Sequence, residues 1–158
     1  MKRAYYTAIP IADKLKIKII KNKIFREIYA GKWQEQSFEY IKKQYFDDYS
    51  VWLNDIGNAC CTDGESVRQL SERVVNAIKI LSENEKEKTI VISTHATPIR
   101  AFQTVCEKGD ISFAKDVVWT ANASVTVCEY TNGNFNFKLS GYNEFLADLK
   151  STFPSSVV

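Results

Sequence analysis

The sequence predicts a three-layer α/β domain built around a mixed sheet. Segments with apolar residues at three-to-four spacing alternate with short apolar runs, the pattern of helices alternating with strands. Residues 89–93 (Thr-Ile-Val-Ile-Ser) have the unbroken apolar character of a strand covered on both faces. Residues 125–130 and 135–139 flank Asn132-Gly133, the strongest short-range hairpin signal. A chain of 158 residues, 45% of them hydrophobic, can bury a core of its own, so residues 1–158 are read as a single domain.

The first element is a helix with Ala4, Ala8, Ile11 and Leu15 on one face. Pro10 lies inside it and is expected to bend it or confine its regular part to one side. Next, Lys14, Lys16 and Lys18 alternate with Leu15, Ile17 and Ile19, the period of a half-buried strand with a solvated lysine face. Residues 34–53 carry Phe38, Tyr45, Phe46, Tyr49 and Trp52 and read as helix covering an apolar surface. Residues 54–64 read as a polar loop. Ser66 and Gln69 have capping-box spacing, and the helix they open puts Val67, Leu70, Val74, Ile78 and Leu81 on one face. After the strand at 89–93, Thr97 and Pro98 suit the N-cap and first position of another helix.

Composition narrows the function. A net charge of +2 is too small to argue for nucleic acid, and no apolar stretch is long enough to span a membrane. The N-terminus lacks the layout of a signal peptide, so a cytoplasmic location is expected. The four cysteines, Cys60, Cys61, Cys106 and Cys128, read as small core or loop residues. None is followed six positions later by the arginine that a cysteine-dependent phosphatase uses, since Ser66, Val67, Ser112 and Asn134 stand there. One histidine and no Cys-x-x-Cys argue against zinc, and neither metal nor cofactor is expected.

That histidine, His95, follows the carboxyl end of the expected buried strand and precedes a helix. Open α/β sheets bind ligands at that end. The free N–H groups and positive dipole of the helix start favour an anion, phosphate or sulfate above all.

Residues 93–101, Ser-Thr-His-Ala-Thr-Pro-Ile-Arg-Ala, resemble the second histidine motif of the histidine-phosphatase (phosphoglycerate mutase-like) superfamily, usually Ser-His-Gly followed by Ile-Arg-Ala. Four further blocks keep the family's order: Lys2-Arg3-Ala4 with Thr7-Ala8, Phe25-Arg26-Glu27-Ile28 with Gly31-Lys32-Trp33, Gly64-Glu65-Ser66, and Asn122-Ala123-Ser124-Val125-Thr126. The resemblance implies an α/β/α sandwich with a mixed, mostly parallel sheet. It also implies phosphomonoester hydrolysis through a phosphohistidine, with one hard step divided into two. By position, Arg3 and His95 would hold the phosphoryl oxygens together with the backbone of Ala96, and Glu27 would protonate the leaving oxygen.

This sequence departs from the family pattern in three places. Ala96 replaces the glycine after the second histidine, and Pro10 interrupts the first helix near Arg3. The Arg-His-Gly motif that holds the nucleophile lies, in the family, on a first strand upstream of the Lys-Arg-Ala block. Here Met1 directly precedes Lys2 and no second histidine exists. The resemblance therefore implies an N-terminally truncated domain, missing its first strand and inactive or nearly so by itself. That strand is central in the family's sheet, so its loss is expected to force rearrangement or pairing with a second copy.

Two functions are carried forward. The first is a phosphatase acting on a phosphorylated small molecule. It is favoured over a mutase because the connection from Glu27 to Gly64 is short. The second is a non-catalytic domain that binds phosphate compounds or a partner protein.

Overall fold

A computed structural model describes residues 2–150 of the chain. It contains five α-helices, several 3-10 turns and one antiparallel hairpin among those residues.

Helix α1 (Lys2–Leu15) runs through Pro10 without a break, contrary to the expected interruption. Pro10 is exposed, so the carbonyl freed by its missing N–H can be met by solvent. Its packed face is Ala4, Tyr5, Ala8, Ile9 and Ala12, whereas Ile11 and Leu15 face outward. The lysine-rich segment that follows is not a strand. Ile17 is exposed, and Ile20 is 86% exposed.

The aromatic region forms two helices rather than one, α2 (Phe38–Gln44) and α3 (Phe46–Asn54). They are separated by Tyr45 at φ −131°, ψ 46°. Trp33, Tyr49 and Trp52 form the apolar contact expected there, with ring centroids about 6 Å apart in edge-on pairs. Phe46 points to solvent. The expected polar loop at 54–64 contributes to the core instead, through buried Ile56, Ala59 and Cys61.

Helix α4 (Val67–Asn84) begins with the capping box foreseen from Ser66 and Gln69, each side chain bonding the other's backbone N–H. Its buried face is Val67, Leu70 and Val74. Helix α5 (Ala96–Lys108) packs beside it and buries Ala101 and Phe102. Gly109 ends α5 in the left-handed conformation that favours glycine.

Strands β1 (Val125–Thr131) and β2 (Asn134–Tyr142) pair antiparallel, with Thr131 opposite Asn134 and Tyr130 opposite Phe135. Asn132 and Gly133 both have positive φ, 53° and 83°, as a type I′ turn requires. Phe135 and Phe137 stack edge-on against Phe102 and fasten the hairpin to the core.

The mostly parallel sheet is not formed among the described residues. Residues 89–95 carry no strand assignment, and their apolar side chains are partly in solvent, Ile90 at 39% and Val91 at 55%. The composition is that of a buried strand, but a strand exists only when a neighbour takes its backbone hydrogen bonds.

Candidate functional site

The site is assembled by two hydroxyl groups in the segment before α5. Ser93 Oγ donates to the carbonyl of Ala4 in α1 at 2.7 Å, and Thr94 Oγ1 donates to that of Phe25 at 2.7 Å. Arg3 and Glu27 lie one and two residues from those two carbonyls. The segment leading into α5 thus draws together three parts of the chain that are remote in sequence.

His95 is 7% exposed and occupies the N-cap of α5 in extended conformation, φ −132°, ψ 169°. The expected N-cap, Thr97, is instead the second helical residue, because the histidine's own carbonyl accepts the first turn's bond from Ile99. Burial, reinforced by the nearby positive charge of Arg3, pulls the His95 pKa down to about 4. The imidazole is therefore neutral at pH 7. Ala96 opens the helix beside it, where backbone N–H groups lack helical acceptors.

Glu27 is half-buried at the same helix start. Its Oε1 accepts from the N–H of Ile28 at 2.9 Å, and Thr97 offers both its hydroxyl and its N–H. Burial raises the Glu27 pKa, outweighing those bonds and the pull of Arg3. Glu27 thus keeps its proton to higher pH than an ordinary glutamate. Arg3, Glu27 and His95 are brought together, as the electrostatic influence of Arg3 on both other groups records.

A second layer holds the Glu27 loop. Arg73 of α4 donates to the carbonyls of Ile24, Arg26 (3.1 Å) and Glu27 (3.4 Å). It also grips Glu65 through Nε at 2.6 Å and Nη2 at 2.9 Å. Glu65 in turn accepts from the N–H of Tyr29 at 3.1 Å. The pair is largely buried, at 16% and 11% side-chain exposure. Burial alone would raise the Glu65 pKa, but the bonds from Arg73 and Tyr29 prevail and lower it.

The two glycine turns beside this clamp press against each other. A Cβ on Gly64 would lie 2.4 Å from the Tyr29 carbonyl, and one on Gly31 would lie 2.2 Å from that of Thr62. Lys32 N–H donates to Thr62 at 2.9 Å and Glu65 N–H to Tyr29 at 2.7 Å, closing the contact.

All four site residues named from sequence, Arg3, Glu27, His95 and Ala96, belong to this one neighbourhood. Thr97 and Arg73 were not anticipated as site residues. Arg73's only trace in the sequence is a cation next to the apolar stripe of α4. All four cysteines are free, with burial pushing the Cys61 and Cys106 thiols up to about 12. No cluster of potential metal ligands and no helix long and apolar enough to cross a membrane occur among the described residues. Chemically, the site combines a guanidinium, a neutral imidazole, a helix start and a carboxylic acid that resists ionisation. Such a set can hold anionic oxygens and deliver one proton.

The pattern of the histidine phosphatase superfamily (branch 1) matches residues 1–143. Phosphoserine phosphatase 1 of Hydrogenobacter thermophilus is 27% identical over 112 residues, 71% of this chain and 53% of that protein. The adenosylcobalamin/alpha-ribazole phosphatase of Escherichia coli is 30% identical over 97 residues, 60% of this chain and 47% of its own length. The chain spans about half the length of these curated relatives. Among solved structures, Bacillus stearothermophilus YhfR superposes with a TM-score of 0.82 at 19% identity, over 89% of this chain and 70% of that one. The mycobacterial glucosyl-3-phosphoglycerate phosphatase complexed with VO3 superposes at 0.78 and 20% identity, over 89% and 73% respectively. At these identities the superpositions establish a shared α/β fold.

Proposed function

The chain belongs to branch 1 of the histidine phosphatase superfamily, and from that premise we propose that it is part of a phosphatase for small phosphorylated metabolites. The observation that carries the proposal is the meeting of Arg3, Glu27, His95 and the Ala96 helix start at one point. The relatives are named for unlike substrates, phosphoserine, alpha-ribazole and glucosyl-3-phosphoglycerate compounds among them. Their names have a phosphatase activity in common, and no mutase is among these relatives.

In this reading a histidine carried by the family's first strand attacks phosphorus. An N–P bond forms as the P–O bond to the leaving group breaks. Arg3, His95 and the Ala96 N–H hold the equatorial oxygens, where preorganised donors act on spreading charge. Glu27 gives its proton to the departing oxygen, and water then hydrolyses the phosphohistidine. His95 is the only histidine among the 158 residues and serves as the binding partner rather than the nucleophile. This chain alone is accordingly expected to turn over little or nothing.

The same reading places residues 89–93 inside a mixed, mostly parallel sheet of a three-layer domain, with the first strand beside them. Exposed Ile90 and Val91 support it.

The test compares p-nitrophenyl phosphate hydrolysis by this chain and by a version extended upstream with an Arg-His-Gly strand. Turnover in the extended form alone is the expected result. Equal turnover by both would show that the chain already holds its nucleophile. Inactivity of both, with phosphate still bound, would favour a non-catalytic phosphate-binding domain.

A further inference from the structure

Arg100 belongs to the Ile-Arg-Ala part of the histidine motif, yet its guanidinium contacts neither Glu27 nor His95. Nε donates to the carbonyl of Ala114 at 2.9 Å, and Cζ lies 4.3 Å from the centroid of the Trp119 ring. The residue is 7% exposed and forms no ion pair among the described residues. Its two terminal nitrogens bond no acceptor among the described residues. Arg100 lines a cavity of about 230 Å³ with Lys115, Trp52, Leu53 and Val118, and no acidic residue is among the described residues that line it.

A buried guanidinium with no counter-charge among the described residues is a costly arrangement, because there desolvation is not repaid by a carboxylate. Burial alone accounts for the drop in its pKa to about 10, so it still carries its charge at pH 7. The indole lies over the guanidinium and the Ala114 carbonyl takes its Nε, so no described residue takes the planar fork of its terminal N–H groups. Such a fork matches the two oxygens of a carboxylate. Lys115 supplies a second positive charge at the exposed rim. The remaining wall is tryptophan and aliphatic, suited to an apolar body.

From this geometry we propose that the Arg100 cavity is a second binding site, separate from the His95 site, for a small carboxylate with an apolar or aromatic body. The carboxylate pairs with the Arg100 fork, and the body lies between Trp52 and Val118. The proposal does not depend on the phosphatase reading.

Benzoate is a suitable probe, followed by tryptophan fluorescence and by thermal unfolding of the whole chain, with acetate and inorganic phosphate as comparisons. Benzoate is expected to change the fluorescence saturably and to raise the unfolding temperature, and acetate to bind more weakly. Arg100→Gln and, independently, Lys115→Glu are expected to weaken benzoate about tenfold or more, or roughly 1.4 kcal/mol. Lys115 is exposed, so the second variant tests the site even if the first does not fold. His95→Asn should leave benzoate binding unchanged while weakening phosphate, which separates this site from the other. No response of the native chain to benzoate overturns the proposal, as does an equal response in Lys115→Glu. Phosphate binding that is lost in Lys115→Glu, with no benzoate binding, would overturn the carboxylate assignment.

Discussion

At the scale of single residues, His95 and Glu27 are displaced in opposite senses from their ordinary protonation. Burial and Arg3 favour the neutral imidazole, with a pKa near 4. An unfolded chain, whose histidine titrates near 6.5, therefore binds more protons than the folded one between those values. Stability is full above about pH 6.5 and falls as the pH drops towards 4. The loss specific to this group is up to about 3 kcal/mol. Comparing pH-dependent unfolding of the native chain with His95→Gln isolates it, and the native chain should lose stability relative to the variant as the pH falls from about 6.5 towards 4. Glu27 runs the other way, since burial raises its pKa. A proton donor must be protonated, so turnover by the extended form should fall as pH rises through that pKa. Glu27→Gln should slow turnover roughly 10²–10⁴-fold on alkyl phosphates. The effect should be much smaller on p-nitrophenyl phosphate, whose leaving oxygen needs little help. Comparable losses on both substrates would remove Glu27 from the acid role. These residues stand out in the sequence through the order of the motif blocks that resemble the family, not through any one residue. Thr97 does not, because its bond to Glu27 depends on where α5 begins, and helix ends are the least certain feature of a sequence.

At the scale of elements, local signals held where they were self-contained. The Ser66–Gln69 box and the Asn132-Gly133 turn need only their own neighbours, and both form. The split between α2 and α3 was hidden, because aromatic residues give the same apolar signal on either side of Tyr45. The Arg73–Glu65 clamp could not be seen at all, since its value lies in the carbonyls of Ile24, Arg26 and Glu27. Removing one member leaves the other charged and buried. Arg73→Met or Glu65→Gln should destabilise the chain by about 3–5 kcal/mol. The double variant should recover part of that loss in denaturant unfolding. Additive losses would mean that the two side chains do not act as a pair. Gly64→Ala should cost about 1–3 kcal/mol through its clash with Tyr29, despite an otherwise mild change.

At the scale of the whole molecule, the discrepancy between sequence and structure is widest where strands were expected. Residues 89–93 read as a strand buried on both faces, yet they carry no ladder and leave Val91 55% exposed. Apolar composition specifies that a segment should be covered, but it does not supply the cover. Residues 17–20 show the same mismatch, with Ile20 almost wholly exposed. A neighbouring strand would relieve both the exposed side chains and the unpaired backbone groups, each of which costs about 1–3 kcal/mol when buried unsatisfied. Amide hydrogen exchange can follow this directly. In the present chain, amides of residues 89–93 should exchange rapidly while those of Leu70 and Val74 in α4 are protected. Restoring the upstream strand should slow exchange at 89–93 by about 100-fold or more, bringing it towards the core value. If a second copy supplies the edge instead, the present chain should elute as a dimer, and protection at 89–93 should rise with concentration. Rapid exchange at 89–93 in the extended form and at high concentration of the present chain would refute strand addition at this edge. The exposed apolar run would then belong to the folded state itself.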